Sequence, residues 1–180
     1  MFDGVREVNL MDDSLKPIIE TIHQRFGVEA HESHGLVSLT IHPDQLISLV
    51  KTLRNEFDFD MLAAETAVDY WPEQSPRFHM IYELYCTKQN IGLELRVPLN
   101  GNAPTLPTLE VLYANANWHE REVWDMFGIK FEGHSDLRRI LMPFDWEGYP
   151  LRKDYPLGYE EPQFTFNFDQ IMVHKPHPKS

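Results

Sequence analysis

Residues 117–141, NWHEREVWDMFGIKFEGHSDLRRIL, gather two Trp, two Phe, two His, three Arg and five acids. Those types are the raw material of three chemistries. His119-Glu120 and His134 could ligate a metal, but the second histidine of an HExxH pair would stand at position 123, which is Val. His119 and His134 are also separated by a helix that Gly128 should stop. His134, Ser135 and Asp136 supply hydrolase residue types, yet triad members rarely sit side by side, and no GxSxG elbow occurs. No GxGxxG or GxxxxGKS/T loop is present to cradle a nucleotide phosphate. The single cysteine, Cys86, leaves no internal disulfide and no multi-cysteine iron–sulfur or zinc site. It stands at an apolar hairpin position, as a buried structural cysteine does. The other histidines, at 23, 31, 34, 42, 79, 174 and 177, form no ligand-spaced pair on a predicted helix, and His31 and His34 are expected in a solvated loop. No catalytic, cofactor-binding or metal-binding residue is therefore expected.

The same segment reads more simply as a helix followed by a basic loop. Asn117 is expected to cap the helix, with Glu120 reaching back to it. Glu120 and Glu122 would then lie in the first turn, where acids complement the helix dipole. Val123, Trp124 and Phe127 share one face, Gly128 ends the helix, and Arg121–Asp125 is spaced for an i,i+4 ion pair. Alone, this describes a short capped helix with a solvated pair. Two features exceed it. Trp118, Trp124, Phe127 and Phe131 crowd fourteen residues, and Arg138, Arg139, Arg152 and Lys153 follow beside further aromatics and Asp154. Trp and Arg are the types enriched at interface anchors, and arginine pairs with carboxylates in bidentate fashion.

The elements that must position this segment are legible upstream. Asp12-Asp13-Ser14 offer caps before Leu15, Ile18, Ile19, Ile22 and Phe26, one helical face closed by Gly27. Residues 36–41 alternate as a strand, and Pro43 opens a helix carrying Leu46, Ile47, Leu49, Val50 and Leu53. Residues 61–70 read as a strand, and 71–76 as a loop. Phe78, Met80, Tyr82, Leu84 and Cys86 alternate, turn at Gln89-Asn90, and are answered by Leu93, Leu95 and Val97, a hairpin. Residues 98–107 read as a loop, with short helices starting near Thr108 and Asn117. The order predicts an α+β fold, a two-layer sandwich with helices on one face of a mostly antiparallel sheet.

Composition fits one folded domain with an appendage, at 42% hydrophobic and 24% charged residues. The net charge of −12 and the lack of a basic run argue against nucleic-acid binding. Residues 1–133 hold 10 Lys+Arg against 21 Asp+Glu, whereas 134–180 hold 6 against 7. Residues 143–180 also carry six of the thirteen prolines among Phe, Tyr and Trp. The expected division is an α+β domain over 1–133 and an extended arm over 134–180, lying on its own body or on a partner. Neither a secretion signal nor a run of ~20 apolar residues is seen.

Glu120-Arg121-Glu122-Val123-Trp124-Asp125-Met126-Phe127-Gly128, then Phe131-Glu132-Gly133-His134 and Asp136-Leu137-Arg138-Arg139-Ile140-Leu141, resemble the signature of one family. This is the 30-kDa subunit (the C subunit in bacteria) of respiratory complex I, the proton-pumping NADH:quinone oxidoreductase. Gly148-Tyr149-Pro150-Leu151-Arg152-Lys153-Asp154-Tyr155-Pro156, Ala67-Val68-Asp69-Tyr70 and the hairpin over 78–98 resemble it too, so the likeness spans roughly residues 35–160. Ser135 departs from the family's usual proline, which should loosen one loop residue. The resemblance implies a cofactor-free structural and assembly role in the peripheral arm, with FMN and iron–sulfur clusters in partner subunits. It implies packing against the 49-kDa-type D subunit and near the cluster-bearing B subunit, at the cytoplasmic face of the bacterial plasma membrane, with membrane contact only through the assembled complex. Arg138, Arg139, Arg152 and Lys153 would be partner contacts, with Trp118, Trp124, Phe127 and Phe131 as core or interface anchors. Equivalent subunits occur in membrane-bound hydrogenases, deazaflavin-dependent (F420H2) dehydrogenases and the ferredoxin-dependent photosynthetic NDH complex. The reading from another class is a stand-alone metal-dependent enzyme using His119, Glu120 and His134.

Overall fold

A computed structural model describes residues 14–33 and 35–156. Helix α1 (Lys16–Phe26) buries Ile18 and Ile22 and ends at Gly27, whose φ of 67° is the left-handed cap its sequence position foretold. Its N-cap position is Leu15; Asp12 and Asp13, expected as caps, lie outside the described residues. Strands β1 (Glu29–Ser33) and β2 (Leu36–Thr40) follow as an antiparallel pair. His31 therefore belongs to a strand rather than a loop, in register with Ser38, and His34 lies outside the described residues. A 3-10 turn over Pro43–Gln45 leads into α2 (Leu46–Glu56), whose Leu46, Leu49, Val50 and Leu53 are all fully buried.

Strands β3 (Met61–Asp69), β4 (Phe78–Cys86) and β5 (Ile91–Leu99) form the centre of a five-stranded sheet in the order β1-β2-β5-β4-β3. All its pairings are antiparallel except β2 with β5. The predicted α+β sandwich is thus the observed fold. The hairpin register sets Phe78 opposite Leu99, Met80 opposite Val97, Tyr82 opposite Leu95 and Leu84 opposite Leu93. Every one of these side chains is buried, because a period of two puts the whole apolar set on one face.

Strand β3 departs from simple alternation. A register shift between Leu62 and Ala64 lets both Leu62 and Glu65 point inward. One extra residue in a bulge changes the phase of the residues after it. Glu65 consequently stands opposite Tyr82, on the face that also carries Met80, Leu84, Leu93 and Leu95.

Beyond β5, the expected loop contains β6 (Thr105–Pro107), which pairs in parallel with β7 (Lys130–Glu132). The helix predicted near Thr108 is absent; Leu112 and Tyr113 both donate to the Leu109 carbonyl, making one isolated turn. Helix α3 (Ala116–Phe127) then lies against β3. Its entry is fixed from outside: Tyr113 Oη donates to the Phe59 carbonyl at 2.6 Å and Asn115 Nδ2 to the Leu62 carbonyl at 2.8 Å. Residues 134–156 contain no helix or strand and lie on the 1–133 body.

Candidate functional site: the clamp between the third helix and residues 134–156

Helix α3 begins earlier than expected. Its N-cap is Asn115, and Asn117 instead donates to Glu110 Oε1 at 3.0 Å and Ser135 Oγ at 3.1 Å. With that shift Glu120 and Glu122 leave the first turn, which holds no acid, and the capping box does not form. Glu120 is fully buried and accepts from Thr108 Oγ1 at 2.5 Å and the Leu109 N–H at 2.6 Å. Burial raises its carboxyl above the usual 4.5, while those two bonds pull it back.

His134 also turns inward. Its Nε2 donates to the Asn117 carbonyl at 3.0 Å, and its Nδ1 accepts the Asp136 N–H at 3.0 Å, so both ring nitrogens are engaged within the chain. Glu120 Oε2 is 4.0 Å from Nε2. Among the described residues no group of three His, Cys, Asp or Glu is placed to hold a metal ion. Ser135 is tied, not loosened. Its N–H and Oγ both donate to Glu110, at 2.9 and 2.7 Å, bonds that a proline could not make.

The centre of the site is Asp125. The expected Arg121–Asp125 pair does not form. Asp125 Oδ2 accepts the N–H groups of Ile140, Leu141 and Met142 at 3.0, 2.8 and 2.9 Å, and Oδ1 accepts Arg139 Nη1 at 2.5 Å. Three successive amides converging on one oxygen make an anion nest. Burial alone would push this carboxyl up, but the Met142, Arg139, Leu141 and Ile140 bonds outweigh it and hold it below 3.8. Arg139 also donates to the carbonyls of Trp146 and Gly148 at 2.8 and 3.1 Å, and lies over the rings of Trp124 and Tyr149. Arg121 is freed from its helical neighbour to donate to the Arg138 and Arg139 carbonyls at 3.1 and 3.2 Å, and stacks on Trp118.

A second clasp holds residues 149–156. Arg152 Nε donates to the Phe127 carbonyl at 2.5 Å, and its guanidinium lies over Tyr149 and Phe78. Burial, then nearby Arg77, lower its pKa. Arg77, at the start of β4, grips Asp69 in bidentate form at 3.0 and 2.9 Å and reaches Asp154 at 2.6 and 3.2 Å. Hydrogen bonds to Asp69 hold the Arg77 guanidinium firmly protonated. Asp69 in turn accepts the N–H groups of Trp71 and Lys153 at 3.0 and 2.9 Å.

Gly128 is where the two clasps meet. Its φ is +73°, and a Cβ there would lie 2.5 Å from the Tyr149 ring and 2.6 Å from Arg152. Gly128→Ala should therefore expel Tyr149 and Arg152 and cost about 2 kcal/mol or more. Limited proteolysis is expected to cut within 134–156 far faster in this variant than in the parent. Equal cutting rates would show that the cradle does not hold the segment.

Of the residues singled out from sequence, Phe127 and Phe131 are core, Trp124 is half-buried under Arg139, and Trp118 is 59% exposed. Gly133 has a φ of +82° before His134. Leu137 packs against the core; Arg138 is exposed and pairs with Asp136. Sequence reading misses Arg77, Asp69 as its partner, Glu110 and Thr108, because each acts across a long separation. Arg77 between Pro76 and Phe78 is the one local hint, a cation opening an apolar strand.

With this geometry in place, comparison with known proteins shows what the chain resembles. The family model described as "Respiratory-chain NADH dehydrogenase, 30 Kd subunit" matches residues 39–161. A protein of Roseiflexus sp. (strain RS-1), named as the C subunit of NADH-quinone oxidoreductase, is 45% identical over 150 residues, covering 82% of this chain and 86% of that one. A solved fragment of Nqo5 superposes with a TM-score of 0.62 at 29% identity, covering 69% of this chain and 99% of that one. A chain of the membrane-bound sulfane sulfur reductase, an archaeal respiratory membrane complex, shares the fold with a TM-score of 0.71 at 20% identity, over 81% and 87% of the two chains.

Proposed function

The chain belongs to the family of the respiratory-chain NADH dehydrogenase 30 Kd subunit, and from that premise we propose that it is the C subunit of a proton-pumping NADH:quinone oxidoreductase, acting as a cofactor-free assembly component of the peripheral arm. Its work is to hold the quinone-site D subunit (49-kDa type) and the cluster-bearing B subunit in register, while FMN and iron–sulfur clusters reside in partners. The observation that carries this reading is how residues 134–156 divide their side chains. Arg139, Arg152 and Asp154 are spent on the chain's own Asp125, Phe127 carbonyl and Arg77. Leu141, Phe144 and Leu151 meanwhile stand 61%, 94% and 53% exposed. A segment pinned by its charges and apolar outward is preorganised to receive another protein surface. Arg139 and Arg152, expected as direct partner contacts, then serve by fixing the backbone that presents those side chains.

No helix among the described residues is long and apolar enough to cross a membrane. The proposed place is peripheral, at the cytoplasmic face of a bacterial plasma membrane, reached through the assembled complex. Purifying the tagged chain from membranes in mild detergent tests the proposal. Recovery with the quinone-site and iron–sulfur subunits is expected; recovery of the chain alone contradicts it. An equivalent role in a related complex is the second reading, supported by fold likeness alone. A co-purifying NADH-binding flavoprotein favours the first reading; a hydrogenase, deazaflavin or ferredoxin module favours the second.

A further inference from the structure

One buried acid takes no part in either clasp. Glu65 is 7% exposed, and neither of its carboxyl oxygens has a hydrogen-bond partner among the described residues. Its cross-strand neighbour on β4 is Tyr82, fully buried, with its hydroxyl likewise unpartnered. Helix α3 packs against β3, and its fully buried Glu120 adds a second acid to this interior, whose charge would repel that of Glu65. No Lys, Arg or His among the described residues forms an ion pair with Glu65, and Arg77, the buried cation at the start of β4, is committed to Asp69 and Asp154. His134 Nε2 lies 4.0 Å from Glu120 Oε2 and is bonded to the Asn117 carbonyl.

An ionised carboxylate in such a place would carry the full cost of desolvation, with no cation and no donor among the described residues to offset it. A protonated one would be a small polar group beside a hydroxyl, which an interior tolerates. We propose that Glu65 is a neutral carboxylic acid in the folded chain, and that its ionisation unseats α3 from β3, making the clamp on residues 134–156 proton-dependent. Helix α3 is the element that must give, because it packs against β3, which carries Glu65, and brings Asp125 and Arg121 to the clamp. Burial, then the charge of Glu120, raise the Glu65 carboxyl well above 4.5. The folded state binds the Glu65 proton more tightly than the unfolded chain, so the contribution of Glu65 to stability is full below about 4.5 and falls as pH rises above it toward the raised folded value.

The test uses the full chain, Glu65→Gln, and infrared and carbon-13 signals of neutral carboxyl groups, together with amide exchange and thermal unfolding from about pH 4.5 to 8. The parent is expected to show a neutral carboxyl at about pH 7 that is missing in Glu65→Gln. The melting temperature of the variant should exceed the parent's by a margin that widens with pH, to about 3 °C or more at pH 8. Exchange in α3 should accelerate with pH in the parent beyond its intrinsic rise, and not in the variant. Absence of any neutral carboxyl in the parent at neutral pH overturns the proposal, and needs no variant to be seen. A signal that survives Glu65→Gln but disappears in Glu120→Gln overturns it equally, as does a melting gap that stays constant with pH.

Discussion

Asp125→Ala is expected to lose about 3–5 kcal/mol of folding stability, the range for removing one partner of a buried ion pair. The carboxylate is fully buried and answers four donors at once: Arg139 and the amides of Ile140, Leu141 and Met142. Alanine leaves the half-buried Arg139 without its carboxylate and three consecutive amides without an acceptor, each of which carries a desolvation cost. Urea unfolding of the full chain measures the loss. Asp125→Asn should fall between the two, since it keeps the shape and one acceptor but sets an NH2 against donors. The same residue shapes the acid limit. Asp125 and Asp69 both have carboxyls held below 3.8, against the pull of burial, by their hydrogen bonds. Their stabilisation is present above 3.8 and disappears as pH falls through the lowered folded values. The parent should unfold steeply below about pH 4, and Asp125→Ala should show a shallower acid limb from an already lower plateau. A loss below about 1 kcal/mol would mean that the nest is replaced by water at little cost.

Arg77→Met is the second large effect, again about 3–5 kcal/mol. Among the described residues Arg77 is the one cation bonded to the side chain of Asp69, which is 1% exposed, and it also binds Asp154 at 37% exposure. Methionine fills the space beside Trp71 and Phe78 but leaves the Asp69 charge in the interior with two backbone donors. Asp154→Ala isolates the other half of the bridge. That aspartate is partly in water, and its removal should cost about 1 kcal/mol or less. The asymmetry is the check: urea unfolding should rank Arg77→Met far below Asp154→Ala. Equal losses would place the value of Arg77 in the bond to residues 149–156 rather than in β3.

Much of this architecture is readable from the chain because its signals are local. The hairpin of β4 and β5 alternates without interruption, α2 carries its apolar stripe at helical spacing, and Gly27 and Gly128 stop helices where left-handed caps are needed. The segment 117–141 stands out by composition, and its motifs resemble the family that the comparisons show. The choice of partners is what escapes. Spacing makes Arg121 the natural mate for Asp125, but Arg139, brought by the loop after Gly133, occupies that carboxylate with the amides that come after it. Spacing makes Asn117 the cap, but Tyr113 and Asn115 anchor to Phe59 and Leu62 and start the helix sooner. The bulge in β3 that turns Glu65 inward leaves no composition signal, and the Arg77–Asp154 bond joins residues 77 positions apart. Local periodicity predicts elements; it does not predict which of several equivalent charges a tertiary contact will select.

In the proposed function this chain contributes assembly and no chemistry, through the apolar side chains that the clamp presents. Phe144→Asp tests it most directly, because Phe144 is 94% exposed and its replacement leaves the folded chain intact. The measurement is the amount of assembled complex in membranes carrying the variant, read on a native gel beside quinone-reduction turnover per assembled complex. A severalfold drop in complex with unchanged turnover per complex is the predicted result. Full amounts of intact complex with reduced turnover would contradict it.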